Sequence, residues 1–199
     1  MRIFAAFILI AVSVTALAQT PPPPVRLRGT VDKVDSASLT LKTGDGQLQT
    51  VKLPENLVVT GVNKASVADI DAGKFIGTTT LGERDGALVA LEVHIFPENM
   101  RGTGEGHYDW DLRPQSKMTN ANVANVTSIG KDHVLQVQYK GGEQKVIVPE
   151  SATVVLFTPG DRAMLKPGAA VFVVSQRQPD GSLTAARVAV GVNGQIPPM

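Results

Sequence analysis

Glu105, His107, Asp109 and Asp111 form the densest set of metal-capable side chains in the sequence. Spaced two apart, they fall on one side of an extended segment, with Tyr108, Trp110 and Leu112 on the other. One imidazole and three carboxylates suit a hard or borderline divalent cation, so a divalent metal is the one cofactor these residues admit. A linker strand that docks its aromatic side shows the same alternation, and Tyr108 and Trp110 are also the residue types of a ligand, partner or glycan surface. The spacing is not that of a calcium-binding helix-loop-helix: Asp109-x-Asp111 leads to Arg113, a cation where a ligand should stand. The adjoining Gly102-Thr103-Gly104-Glu105-Gly106 lacks the spacing of a phosphate-binding loop, and no helix pattern follows it.

Other chemistry is sparse. His94 lies between Val93 and Ile95 and must face opposite to them, which suggests an outer, polar side; His133 sits beside Asp132 in a turn. No serine stands in a nucleophile elbow and there is no cysteine, which removes disulfides, thiol catalysis and zinc–thiolate sites. No catalytic or cofactor-binding residue is assigned, and a non-enzymatic protein is expected.

The elements that must position these residues read as strands. Val25–Val34, Leu39–Thr43, Leu48–Leu53 and Leu57–Gly61 alternate or run apolar, followed by a short helix start at Ser66-Val-Ala-Asp69 that Gly73 stops. Phe75–Leu81 and Ala87–Phe96 complete the series across an Asp85-Gly86 hairpin signal. The order then recurs: Ala121–Ile129, Val134–Tyr139, Gln144–Val148, Thr153–Phe157, a turn or helix at Asp161–Leu165, Ala170–Gln176 and Leu183–Val190. Laying Val51–Phe96 over Val146–Gly191 at a constant offset of 95 gives 11 identities in 46 positions. They include Pro54/Pro149, Gly73/Gly168 and Asp85-Gly86/Asp180-Gly181, where turns and positive φ restrict the choice of residue. The fold class expected is mainly β: two tandem, small, OB-like five-stranded barrels, each with a short helix or turn. They would span 25–96 and 121–191, with a Gly-rich, aromatic connector at 97–120 and a tail at 192–199.

The first eighteen residues have the pattern of an export signal. Arg2 precedes an apolar run from Ile3 to Thr15, and Ala16-Leu17-Ala18 is a small-x-small cleavage site. Residues 19–24 form a Pro-rich spacer, and no later stretch is apolar enough to span a membrane. A periplasmic or secreted location in a Gram-negative bacterium follows as the expectation, without stable membrane insertion after signal cleavage. Arg2 is the signal's only charge, so the chain beyond it balances 18 basic against 18 acidic side chains. That balance lacks the basic footprint of a nucleic-acid binder. The balance is uneven along the chain: residues 25–100 carry 8 basic and 10 acidic groups, and residues 121–199 carry 7 and 5.

The hairpins Asp85-Gly86-Ala87-Leu88-Val89-Ala90-Leu91-Glu92-Val93 and Asp180-Gly181-Ser182-Leu183-Thr184-Ala185-Ala186-Arg187-Val188 resemble those of a widespread exported bacterial OB-like domain. The stretch Phe96–His107, with Trp110-Asp111-Leu112 and Met118-Thr119-Asn120-Ala121, is similar to a proteobacterial subgroup of it. The resemblance implies an exported barrel and brings no catalytic residues. The function expected is therefore a non-enzymatic envelope module that binds an envelope protein or small ligand. The alternative is a periplasmic metal-binding protein using the 105–111 segment.

Overall fold

A computed structural model describes residues 22–199. The export-signal reading (1–18) and the first part of the spacer fall outside the described residues. The chain is mainly β, as expected. Its thirteen strands are β1 (Val25–Val34), β2 (Ser38–Thr43), β3 (Leu48–Lys52), β4 (Val58–Lys64), β5 (Phe75–Arg84), β6 (Ala87–Ile95), β7 (Gly106–Asp109), β8 (Lys117–Ile129), β9 (Asp132–Tyr139), β10 (Gly142–Val148), β11 (Thr153–Pro159), β12 (Ala170–Arg177) and β13 (Leu183–Gly191). The expected short helices are single 3-10 turns. At Val67–Asp69 the Asp69 carboxylate accepts from the Ser66 amide (2.8 Å) and hydroxyl (2.9 Å). At Arg162–Met164 the Asp161 carboxylate accepts from the Ala163 amide (2.8 Å). These are reciprocal and simple forms of the same N-terminal cap.

All strands join one sheet in the order β10-β9-β8-β5-β6-β11-β4-β13-β12-β1-β2-β3, with β7 added to β8. Both ends fold back: β10 also pairs β6, and β3 also pairs β13. Strands therefore do not sort by halves of the sequence. The expectation of self-contained units over 25–96 and 121–191 places β1 with its own half, whereas β1 pairs β12 and β5 pairs β8. Alternation of apolar residues specifies which face of a strand is buried but not which strand lies beside it, so this exchange has no signal in the pattern. Strand β8 also begins earlier than the expected Ala121. Residues Lys117–Asn120 pair β7 on one edge and β5 on the other.

The pairing is arranged about the contact of β4 with β11. Val62 pairs Phe157, the residue 95 positions later, and the register runs outward antiparallel from there. Ala65 donates to Val154 O just as Gly160 donates to Val59 O, and each pair lies 95 residues from its counterpart.

Bulges decide which side chains reach the middle of the molecule. Thr79 pairs Glu92 but Thr80 pairs Ala90, which leaves Leu91 unpaired. Leu88 and Ala90 face one core, and after the bulge Val93 and Ile95 take over that face. Glu92, His94 and Phe96 are thereby turned to the opposite side. The same shift between Val174 and Ser175 leaves Ala186 unpaired and turns out Arg187 and Ala189 while Val188 and Val190 stay in a second core. Between these two cores lies a third, built from Val62, Phe75, Phe96, Val155, Phe157, Phe172, Val174, Ala189 and Met199.

Candidate functional site

The third core is incomplete, and its gap is the site. Cross-strand register sets out its wall. Phe75, Gly77 and Thr79 of β5 are flanked by Asn122, Asn120 and Met118 of β8, while His94 and Glu92 of β6 lie beside Gly77 and Thr79. Further along the sheet, Phe172 lies between Arg28 and Ala189, and Val174 between Arg26 and Arg187. The connector supplies the cover, with Met100, Thr103, Tyr108 and Trp110 closing over a chamber of about 40 Å³. That is room for three or four water molecules at about 10–15 Å³ each on the same measure.

A buried polar pair lies beneath the chamber, with His94 lining it and Glu92 behind. Glu92 and His94 are 1% and 2% exposed. One carboxylate oxygen of Glu92 accepts from the Thr79 hydroxyl, and the other lies 3.1 Å from His94 Nδ1. The imidazole stacks on Phe157 (centroids 5.3 Å, 13° between planes) and meets the edge of Phe96. Both pairings fix the ring. With Nδ1 held by a carboxylate, Nε2 is the nitrogen turned toward Asn120. A Cβ on Gly77 would stand 2.0 Å from His94 Nε2 and 2.4 Å from Asn120 Oδ1, so only glycine lets the two meet above β5. The Asn120 amide nitrogen donates toward Thr103 O, Gly104 O and Tyr108 Oη at 3.1–3.2 Å, tying the connector down. Its Oδ1, however, is buried with no hydrogen-bond partner among the described residues, as is Trp110 Nε1.

Tyr108 and Trp110 point together into this region (centroids 6.1 Å), with the Arg26 guanidinium 4.1 Å above the Trp110 ring and the Arg28 guanidinium 5.0 Å from Phe172. Burial pushes the Tyr108 phenol up and holds the Arg187 guanidinium below its usual value. The docked aromatic side expected of residues 108 and 110 is thus where the chamber is covered.

The four metal-capable residues are dispersed. Glu105 accepts from the Lys140 amide (2.9 Å), and His107 Nδ1 lies 2.8 Å from the Thr119 hydroxyl with its ring stacked on Tyr139. Asp109 pairs with Lys117, and Asp111 pairs with Arg28 (2.7 Å) and Arg26 (3.9 Å). Among the described residues no three His, Asp or Glu side chains gather as a metal would require. His107 carries a different consequence. Burial, then the Lys117 ammonium, lowers its pKa, so the unfolded chain binds a proton more readily than the folded one. Stability is then lost as pH falls through the unfolded value of about 6.5. His107→Gln should flatten the dependence of the thermal midpoint on pH between 5.5 and 7.5, measured by differential scanning calorimetry; an unchanged slope would reject this role.

Glu92 is the residue sequence reading missed, and His94, expected on an outer, polar side, is instead buried. Their two-residue spacing places them on one face, but β6 is apolar on nearly every other position, which points to burial of both faces rather than an outer side. Gly77 inside a strand was the second available signal, since such glycines mark close approach.

No protein-family model, curated protein or solved structure matches the chain. No helix among the described residues is long and apolar enough to cross a membrane.

Proposed function

We propose that this chain is a non-enzymatic, exported module of the bacterial envelope that holds a small ligand in the chamber between its connector and the middle of its sheet. The observation that carries the reading is Asn120 Oδ1, a buried acceptor without a partner among the described residues, facing His94 Nε2 over Gly77 in a largely apolar enclosure. Buried polar atoms are nearly always satisfied, and those that are not point to water or a ligand. A largely apolar chamber with a few convergent polar atoms is the usual form of a small-molecule site.

The architecture reads as two OB-like five-stranded barrels from a duplicated half, interlocked by exchange of strands. Support comes from the 95-residue repeat, from Val62 pairing with Phe157 and from the two places where the sheet folds back. Each half contributes three strands to one barrel and two to the other. Export rests on the N-terminal pattern Arg2, Ile3–Thr15 and Ala16-Leu17-Ala18.

Trp110 is the sole tryptophan and covers the chamber, so its emission reports occupancy directly. Titration with small neutral alcohols, from methanol to 1-propanol, should change that emission saturably. Ala189→Leu, which extends a side chain into the chamber, should abolish the change while far-ultraviolet circular dichroism stays native. A response to none of the alcohols, or one that survives in the leucine variant, would refute the chamber as the binding site.

A further inference from the structure

The two sides of the chamber carry opposite chemistry. Positions related by the repeat differ here in charge: Glu92 corresponds to Arg187 and His94 to Ala189 at the offset of 95. Strands β8 and β1 correspond through their partners, since Ala121 pairs Ile76 and Gly29 pairs Val171. Asn120 and Met118 on one side are therefore Arg28 and Arg26 on the other. Arg187 thus lines the chamber, while Arg26 and Arg28 lie against two of its wall residues, Trp110 and Phe172.

Their charge is undercompensated. Asp111 serves both Arg26 and Arg28. Arg187 lines the chamber and has neither a hydrogen bond nor an ion pair among the described residues. Arg26 is among its charged neighbours and repels it, while the residue as a whole stays open to solvent at the chamber edge. An arginine fork in such a place is matched by a carboxylate, whose two oxygens fit its parallel N–H groups.

The chain itself shows what fits. Met199 is 6% exposed, its side chain packed in the third core with Phe172 and Phe157, and its main-chain oxygen accepts from Arg28 Nε. An apolar body lies among the aromatic rings while an oxygen rests on an arginine. Met199 also lines the chamber and takes up part of its space.

We propose that the chamber binds a small amphipathic carboxylate: the carboxylate is held by Arg187 and Arg28, and the short apolar part takes the place of the Met199 side chain. This rests on the chamber being a ligand site and adds the class of ligand. The carboxylate displaces the Met199 oxygen from Arg28 Nε, gives Arg187 the partner it lacks, and leaves Asp111 on the Nη2 of Arg28 and beside Arg26. Residues 195–199 then act as an internal competitor, so affinity is set partly by how easily they leave.

The test compares hexanoate, 1-hexanol and hexylammonium, of equal chain length, by Trp110 emission and by calorimetry on the full chain. Hexanoate should bind at least about tenfold more tightly than the alcohol, and hexylammonium least, a difference that one well-placed ion pair supplies. Arg187→Gln and Arg28→Gln should each remove the preference for hexanoate while leaving hexanol binding in place. Met199→Ala should tighten both. Equal affinity for hexanoate and hexanol, or a preference that persists in Arg187→Gln, would overturn the carboxylate assignment and leave the chamber standing. Binding of none of the three, in the native chain and in Met199→Ala alike, would overturn both.

Discussion

Gly77→Ala is expected to destabilise the chain by about 2–3 kcal/mol, the cost of forcing a methyl group into a filled site. In a chain of this size that lowers the thermal midpoint by roughly 5–10 °C. The reason is geometric. The new Cβ meets the tip of His94 from one neighbouring strand and the tip of Asn120 from the other. Neither can yield freely: His94 is held by Glu92, Phe157 and Phe96, and Asn120 by the connector. The effect should be largely confined to this contact, so that Gly77→Ala costs at least about 1 kcal/mol less in an Asn120→Ala background than alone. Urea unfolding of the four chains of this cycle measures it. Additive losses, or a single substitution that costs nothing, would mean that the three side chains do not compete for one space.

Glu92→Ala should cost still more, about 3–5 kcal/mol, because it strips one member from a buried pair. The substitution leaves His94 Nδ1 and the Thr79 hydroxyl without their acceptor in a region closed to water, and it opens a cavity beneath them. Replacing both partners with apolar residues, as in Glu92→Leu with His94→Phe, should return the stability to within about 1 kcal/mol of the native chain. Equilibrium unfolding separates the two cases. A single substitution that costs under about 1 kcal/mol would show that the pair is not dry. The double variant also bears on function: it should remain folded yet lose the acceptor that faces Asn120.

Much of the local structure was legible in the sequence. The runs at Phe75 and Ala87 and the Asp85-Gly86 turn between them are observed as β5, β6 and their hairpin, with Asp85 and Gly86 at φ of 54° and 72°. Those two residue types tolerate left-handed backbone, so composition and conformation agree. The 3-10 turns fall where Ser66 and Asp161 begin them. Partnership between strands was not legible. The side chains of Val25–Val34 read as one strand with a buried face whether the neighbour is in the same half or 150 residues away, as Ser175 is from Val25. The aromatic side of Tyr108 and Trp110 was visible from alternation, whereas Glu92 and His94 were hidden. A bulge at Leu91 reverses which parity faces the core, and a period-2 reading cannot locate it from within β6 alone.

The exchange of strands has a consequence for how the molecule comes into being. Strand β1 acquires its outer neighbour only when β12 exists, and β3 closes onto β13, the last strand of all. Folding must therefore wait on loop closures of great sequence separation, which slow the search for the native state. During synthesis no early segment can complete its hydrogen bonding, and a fragment ending at residue 96 carries β5 and β6 without the three strands that surround their core. A nascent chain of this topology cannot close its sheet until its final strand is present, so its core strands remain without their partners throughout synthesis.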